Sequence, residues 1–472
     1  MYLTDRSAPV QADTEPARRR DLRPRVAPVV LVLGTVSLIT DISSEMVTAV
    51  LPLYLVTTLG FSPLGFGTLD GVYNGVSALV QLTGGHLADR IRNHKLLAGL
   101  GYGLSALCKP LLLIAGSIGT LGTVLALDRT GKGLRTAPRD AMISLSTPAE
   151  KQGRAFGVHR AMDTAGAMLG PLTAFLILRA AADGYDAVFG VSTCVAVLGV
   201  VVLVLFVPGR EQGARQRAAD VPGAEQAADA QSAGTQATAT QSANAQSANA
   251  QAADAPPADA QASGPETADA PPGKPPVRFR EALALLRIRR LRALAGCAAL
   301  LGLTTVSDAF VYLLLQRRAG IGEGWFPLLP LGTAVVFLLL AVPVGALADR
   351  VGRRTVFLAG HAVLLAAYVL LLRAPDTPAL PPLVLALHGM FYAATDGVLP
   401  AALAGIVPEQ LRASGLAIVG TSQALARFCC SLAFGAAWTA WGDGPALAGS
   451  AVGLLCCAAV AGVVLRPAGE TR

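Results

Sequence analysis

The sequence predicts an all-α membrane protein with twelve transmembrane helices arranged as two pseudo-symmetric six-helix bundles. Three observations carry this. Of 472 residues, 53% are hydrophobic and only 15% are charged, with a mean hydropathy of +0.52, against about 25% charged residues in a soluble domain. A soluble fold that poor in charge could not clothe its surface, so most of the chain must face lipid or lipid-buried protein. That excludes secreted small-domain, fibrous and wholly disordered readings. Apolar windows of about 20 residues, the length that crosses a ~30 Å hydrocarbon core as a helix, recur in two groups of six. Two short segments also repeat at one common offset.

The first six windows fall near Pro28–Val56, Leu64–Leu87, Leu96–Ile118, Leu121–Leu145, Ala155–Leu178 and Ala187–Val207. The second six fall near Leu291–Leu315, Phe326–Leu347, Val356–Leu372, Leu383–Val407, Gly415–Ala440 and Pro445–Leu465. The bundles are expected at 26–207 and 286–466, with a basic tail over 1–25 and a short one over 467–472. Between the bundles, 208–285 is mostly Ala, Gln, Asp, Ser and Pro in near-repeats with almost no large apolar side chain. Such a segment cannot bury enough surface to offset its ordering entropy and is expected to be a largely disordered linker.

Lys and Arg accumulate in alternate connections, as the positive-inside rule requires of a polytopic protein. Arg18, Arg19, Arg20, Arg23 and Arg25 precede the first window, and Arg350, Arg353 and Arg354 mark a later basic connection. Arg179, Arg317, Arg318 and Arg373 are nearly all that the opposite side carries. Both termini and the linker are therefore expected in the cytoplasm, with the chain in the plasma membrane. The net charge of +7 is explained by topology, and a nucleic-acid partner loses its support. The first 25 residues lack the apolar core and cleavage site of a signal peptide. All seven cysteines fall inside windows without metal-type spacing, so buried thiols packing as small apolar groups are expected.

The halves match each other at two landmarks. Gly85–Arg90 (GHLADR) recurs as Gly345–Arg350 (GALADR), an offset of 260, and Pro148 meets Pro408 at the same offset. With these segments the chain resembles the major facilitator superfamily across both six-helix halves. The superfamily's signature between its second and third helices has the form G-x-L-A-D-R-x-G-R-R. Gly345 to Arg354 fits it throughout, while the first copy keeps Gly85, Leu87, Asp89 and Arg90 but has Arg92 where Gly is usual. The resemblance implies that Asp89 docks on the start of the eleventh span near Ala413–Gly415, and Asp349 on the start of the fifth near Arg154–Gly157. There the helix dipole favours an anion, and breaking the contacts would be part of alternating access.

Leu125, Arg129, Lys132 and Gly133 resemble a fourth-span motif of the superfamily, with Lys132 in place of the usual Gln. In the fifth span, Gly157, Gly166, Gly170 and Pro171 reproduce the spacing associated with proton-coupled antiporters, though Ala174 and Phe175 stand where a Gly pair is typical. Small residues four apart let helices pack closely, and proline bends the helix.

Ionisable side chains inside the bilayer are costly unless paired or hydrated, so each is a candidate functional residue. Asp41 and Glu45 in the first span are spaced i, i+4 and share a face. Two carboxylates that close tend to hold one proton between them, the property a proton-coupling site needs. The fourth span carries Asp128, Arg129, Lys132, Arg135, Arg139 and Asp140. By resemblance, spans one, four, seven and ten line the central cavity, which makes Arg129 and Lys132 the natural partners of Asp41 and Glu45. Arg135 to Asp140 is expected near the cytoplasmic end. Asp308 in the seventh span and His388 and Asp396 in the tenth complete the candidate cavity.

The resemblance implies a secondary active transporter, not an enzyme, that exports a small organic molecule in exchange for protons by alternating access. Alternatives are a divalent metal exporter for nickel or cobalt and a non-transporting membrane sensor or scaffold. The expected partners are the small-molecule substrate, protons and the lipid bilayer. No cofactor and no resident metal are expected, and the chain is expected to be a monomer.

Overall fold

The structure, a computed structural model, describes residues 27–90, 93–148, 152–181, 184–207, 285–373, 377–396, 398, 403, 407 and 412–465. The tails at 1–25 and 467–472, all but the last residue of the 208–285 segment, and Pro408 lie outside the described residues. So do the side chains of Gly85, Asp89 and Arg90, and with them the docking expected of Asp89 on Ala413–Gly415.

The first bundle is α1 (Pro28–Leu53), α2 (Pro63–Arg90), α3 (His94–Ile114), α4 (Ile118–Leu145), α5 (Gln152–Ala180) and α6 (Gly184–Phe206). The second is α7 (Arg289–Gly302), α8 (Asp308–Ala319), α9 (Leu328–Val351), α10 (Arg353–Arg373), α11 (Leu380–Thr395), α12 (Arg412–Trp441) and α13 (Asp443–Val464). Seven of these helical segments are long and apolar enough to cross a membrane on their own, and α11 is a shorter apolar helix. α2, α4 and α12 are long enough, at 28, 28 and 30 residues, but their apolar runs are interrupted by polar and charged side chains. The chain is a multi-pass membrane protein whose outside is apolar, with Leu205, Leu339 and Val342 exposed, and whose mid-span charges Asp41, Lys109, Asp128 and Arg129 are buried.

Three local features depart from the predicted windows. The third window ends early because Ser117 caps α4: its Oγ accepts from Thr120 N, and Thr120 Oγ1 accepts from Ser117 N. α1 passes into a π-turn at Tyr54–Thr58 just after Pro52, which lacks the N–H of a regular turn. The seventh window is not one helix but two, parted at Leu303–Ser307. Buried backbone at that break needs partners, and Tyr368 supplies them: Val306 N donates to Tyr368 Oη at 2.8 Å, and Tyr368 Oη donates to Thr304 O at 3.5 Å.

Helix neighbours in the second bundle repeat those in the first. α1 packs on α5 and α6, as α7 packs on α12 and α13; α4 packs on α2 and α3, as α11 packs on α9 and α10. Between the bundles α2 runs along α12, and α5 meets α9. The described side-chain contacts across this seam gather at one end, away from the first and last described residues. Leu64 N donates to Thr439 Oγ1, Tyr185 Oη donates to Glu323 Oε2, and the ring centroids of Phe66 and Phe310 are 4.8 Å apart.

The cysteines divide. Cys108, Cys297 and Cys430 are buried, but Cys194, Cys429 and Cys456 are exposed, and Cys457 is half-buried. The expectation that all pack internally is corrected here, because the outside of a membrane bundle is itself apolar and accepts a thiol.

Candidate functional site

A cavity of about 360 Å³ lies between the bundles. The first bundle lines it with Glu45 of α1 and Asp70, Tyr73 and Asn74 of α2. The second lines it from the α7–α8 break, Ser307 and Asp308, and with Tyr392 of α11, Asp396 just after it, and Arg427 of α12. Four carboxylates thus face it against one guanidinium. A smaller cavity of about 130 Å³ adjoins it inside the second bundle and shares Thr305, Asp396 and Arg427.

Arg129, Lys132, Arg135 and Arg139 recur three or four apart on α4 and so fall along one face, with Asp128 next to the first of them. That face is turned to α1, α3 and α5 rather than to the cavity, where only Leu125 of α4 appears. Asp128 Oδ1 accepts from Lys109 Nζ at 3.0 Å and from Ser105 Oγ at 2.6 Å, and its Oδ2 accepts from Arg129 at 2.6 Å. Arg129 also sits over the Tyr73 ring at 4.1 Å. One turn on, Lys132 Nζ is 3.5 Å from Glu45 Oε1, and Arg135 donates to Asp41 Oδ1 at 3.2 Å while stacking over Tyr102. Arg139 pairs with Asp140 and Asp163 and donates to Ser37 Oγ.

In the second bundle Asp308 occupies the first turn of α8, where the helix dipole favours an anion. His388 Nε2 lies 3.0 Å from its Oδ1, and Tyr392 Oη donates to the same oxygen at 2.5 Å. Ser307 Oγ and Thr333 Oγ1, beside this group, are buried and face Asp70 and Tyr312 without a well-aligned hydrogen bond, and both residues line the cavity.

Of the residues expected to line the cavity, Glu45, Asp308 and Asp396 do; Asp41, Arg129, Lys132 and His388 stand behind it. The pairing differs as well. Glu45 does meet Lys132, but Arg129 is held by Asp128, its neighbour in sequence, and the cation on Asp41 is Arg135, expected instead near the loop. A step of four along α1 is matched by a step of three along α4, so Asp41 and Glu45 each face their own cation rather than being left as a bare pair. Asp349 is exposed and pairs with Arg353 at 3.4 Å on its own connection, and among the described residues it makes no ion pair with the start of α5. Gly345 has nothing within 4 Å of a notional Cβ, and Arg350 is exposed.

The fifth-span glycines behave differently from one another. A Cβ on Gly166 would lie 2.6 Å from Leu38 O and 3.2 Å from Asp41 Cβ, and one on Gly170 would lie 2.7 Å from Glu45 Cβ. These two let α5 press on α1 beside both carboxylates, while Gly157 has open space around it. Pro171 is buried, and Phe175 stacks on Trp325 across the seam at 5.1 Å.

Sequence reasoning missed Asp70, Tyr73, Tyr392 and Arg427 as cavity residues. Asp70 and Arg427 are charges within the second and eleventh windows, but nothing in a linear pattern says that α2 and α12 share a seam. The tyrosines carried no signal.

The family model for the Major Facilitator Superfamily matches residues 33–428 and 324–472. The chain belongs to that superfamily. Its relatives in sequence include an uncharacterized MFS-type transporter of Methanocaldococcus jannaschii, 41% identical over 151 residues, 32% of this chain and 37% of that one. An uncharacterized protein of Mycobacterium tuberculosis is 34% identical over 164 residues, 35% of this chain and 40% of its own length. The matched stretch thus spans well under half of either relative. Among solved structures, the nucleoside transporter NupG superposes with a TM-score of 0.69 at 12% identity, covering 93% of this chain and all of that one. A bacterial homolog of the human lysosomal transporter Spinster, in an inward-facing and unoccupied conformation, gives 0.67 at 14% identity, covering 94% and 97%. The two solved structures share this chain's fold, and the superfamily assignment rests on the family model.

Proposed function

We propose that this major facilitator protein exports a small organic molecule carrying positive charge, in exchange for protons. One observation carries the reading: the cavity between the bundles presents Glu45, Asp70, Asp308 and Asp396 against the single cation Arg427, with Tyr73 and Tyr392 beside them. Carboxylates attract an organic cation, aromatic faces add cation–π attraction, and apolar lining accepts its body. The same carboxylates take protons, so substrate and proton compete for one set of groups, which is the requirement for antiport.

Glu45 is where the competition is sharpest. It lines the cavity, and its partner Lys132 is itself partly exposed, so this pair is the least desolvated of those on α4. A substrate cation or a proton displaces Lys132 at little cost, whereas the Asp128 group is locked. Gly166 and Gly170 support export: the motif that resembles the antiporter pattern lies directly against Asp41 and Glu45. The basic connection at Arg350, Arg353 and Arg354 supports a cytoplasmic position for that end of the bundles, and on this reading the packed end of the seam faces outward. For metal export the support is weaker, since among the described residues no three His, Cys, Asp or Glu side chains group closely enough to hold an ion.

Everted vesicles carrying the full chain test this. Adding a fluorescent organic cation to energised vesicles is expected to release protons from the lumen, with Glu45→Gln abolishing the exchange and Asp41→Asn reducing it. Proton movement triggered by nickel or cobalt instead, or unchanged exchange in both variants, refutes the proposal.

A further inference from the structure

Asp70 belongs neither to the paired face of α4 nor to the Asp308–His388–Tyr392 group. It sits on α2 between Gly67 and Gly71, and its Oδ2 accepts from Ser431 Oγ of α12 at 2.5 Å. A second side chain–side chain hydrogen bond between the bundles, Tyr185–Glu323, lies at an exposed edge, and the Ser307 hydroxyl of the second bundle also faces Asp70. The helices around Asp70 are in backbone contact. A Cβ on Gly67 would collide with Ser431 O, one on Gly71 would lie 3.0 Å from the Phe428 ring, and one on Gly435 would lie 2.5 Å from Pro63 O. Asp70 also lines the central cavity, so it touches both the seam and the substrate space.

The charged and titratable groups facing it come from four helices. α8 presents Asp308, a second carboxylate, and α12 presents Arg427 and Cys430. α1 presents Glu45 across the cavity, already paired with Lys132, and Arg129 of α4 stands behind the Tyr73 ring, held by Asp128. Among the described residues none of these cations makes an ion pair with Asp70. A carboxylate with no ion-pair partner, pressed between two helix backbones, is costly when charged and cheap when neutral.

We infer that Asp70 carries the proton that allows the α2–α12 seam to close. The inference rests on the proton-coupled reading above and adds which residue ties proton occupancy to the gate. With the seam parted, Asp70 takes a proton from the compartment on that side. The neutral carboxyl then seats against Ser431 as the bundles meet. The proton leaves later into the central cavity, and the charged carboxylate favours parting the seam again. Uptake on one side and release on the other carry one proton per cycle inward, opposite to an exported substrate.

Hydrogen–deuterium exchange of the full chain in lipid nanodiscs reads the gate directly, with no substrate present. After correction for the chemical exchange rate, segments 63–75 and 428–441 are expected to lose protection about tenfold on going from mildly acidic to mildly alkaline conditions. Asp70→Asn should hold them protected at both, with the exchange of α3 unchanged as evidence of folding. Ser431→Ala, which keeps the acid and removes its partner, should weaken protection at both and retain the pH response. A wild-type seam equally protected at both, or Asp70→Asn with the wild-type response, overturns the inference. Proton-linked export alongside a seam that ignores pH defeats the gate assignment alone. A seam that answers to pH through Asp70, in vesicles that move no probe with protons, defeats the exporter reading and leaves the gate standing.

Discussion

In the first bundle every cation on the inner face of α4 has a carboxylate within reach: Arg129 with Asp128, Lys132 with Glu45, Arg135 with Asp41, Arg139 with Asp140 and Asp163. Across the seam the arrangement is the reverse. Among the described residues Arg427 makes no ion pair, Asp396 has no cation within ion-pair distance, and Asp308 relies on His388 and Tyr392. The two bundles repeat one helix-packing pattern and use it for different electrostatics. A fully paired face can respond to a ligand only by exchanging partners, and it holds its helices rigidly. An incompletely paired cluster leaves hydrogen-bonding and charge capacity open toward the cavity, where a substrate or proton can fill it.

The strongest way to break this contrast is Asp128→Ala. It strands Lys109 and Arg129, both buried, without an anion, and removing one partner of a buried pair costs about 3–5 kcal/mol. Thermal unfolding in detergent should show this loss, while Arg427→Gln, which breaks no ion pair, should cost far less. Comparable losses for the two would erase the distinction between the bundles.

Next in size is Gly170→Val. Its side chain must enter the space held by Glu45 Cβ and Ile42 O, and overpacking of that kind costs about 1–3 kcal/mol. Gly157→Ala, with open space around it, is expected to change stability by less than about 0.5 kcal/mol. An equal effect at both glycines would show that the α1–α5 approach is not what the motif provides.

Glu45→Gln separates stability from transport. Its pair with Lys132 is partly hydrated, and pairs of that kind contribute about 1 kcal/mol or less, so the melting temperature should barely move while proton-linked exchange is lost. A large drop in melting temperature would place Glu45 with the locked group around Asp128. The smallest effect is expected for Asp349→Asn, whose exposed i, i+4 pair with Arg353 contributes about 0.3–0.5 kcal/mol, as chemical denaturation would measure.

The sequence by itself determined the solvent, the fold and the repeat. Hydropathy windows locate helices because a bilayer demands about 20 apolar residues per crossing, and Gly85–Arg90 with Gly345–Arg350 disclosed the duplication before any contact was known. It also picked out the charges, since an ionisable group in an apolar run is conspicuous. Which of them meet was decided by tertiary structure alone. Helix rotation gave Asp41 to Arg135 and left Arg129 with Asp128, and the seam between α2 and α12 brought Asp70 to Ser431 across 361 residues of chain. Burial cost depends on composition, which a sequence displays; pairing depends on rotation and register between helices, which exist only once the bundles have packed.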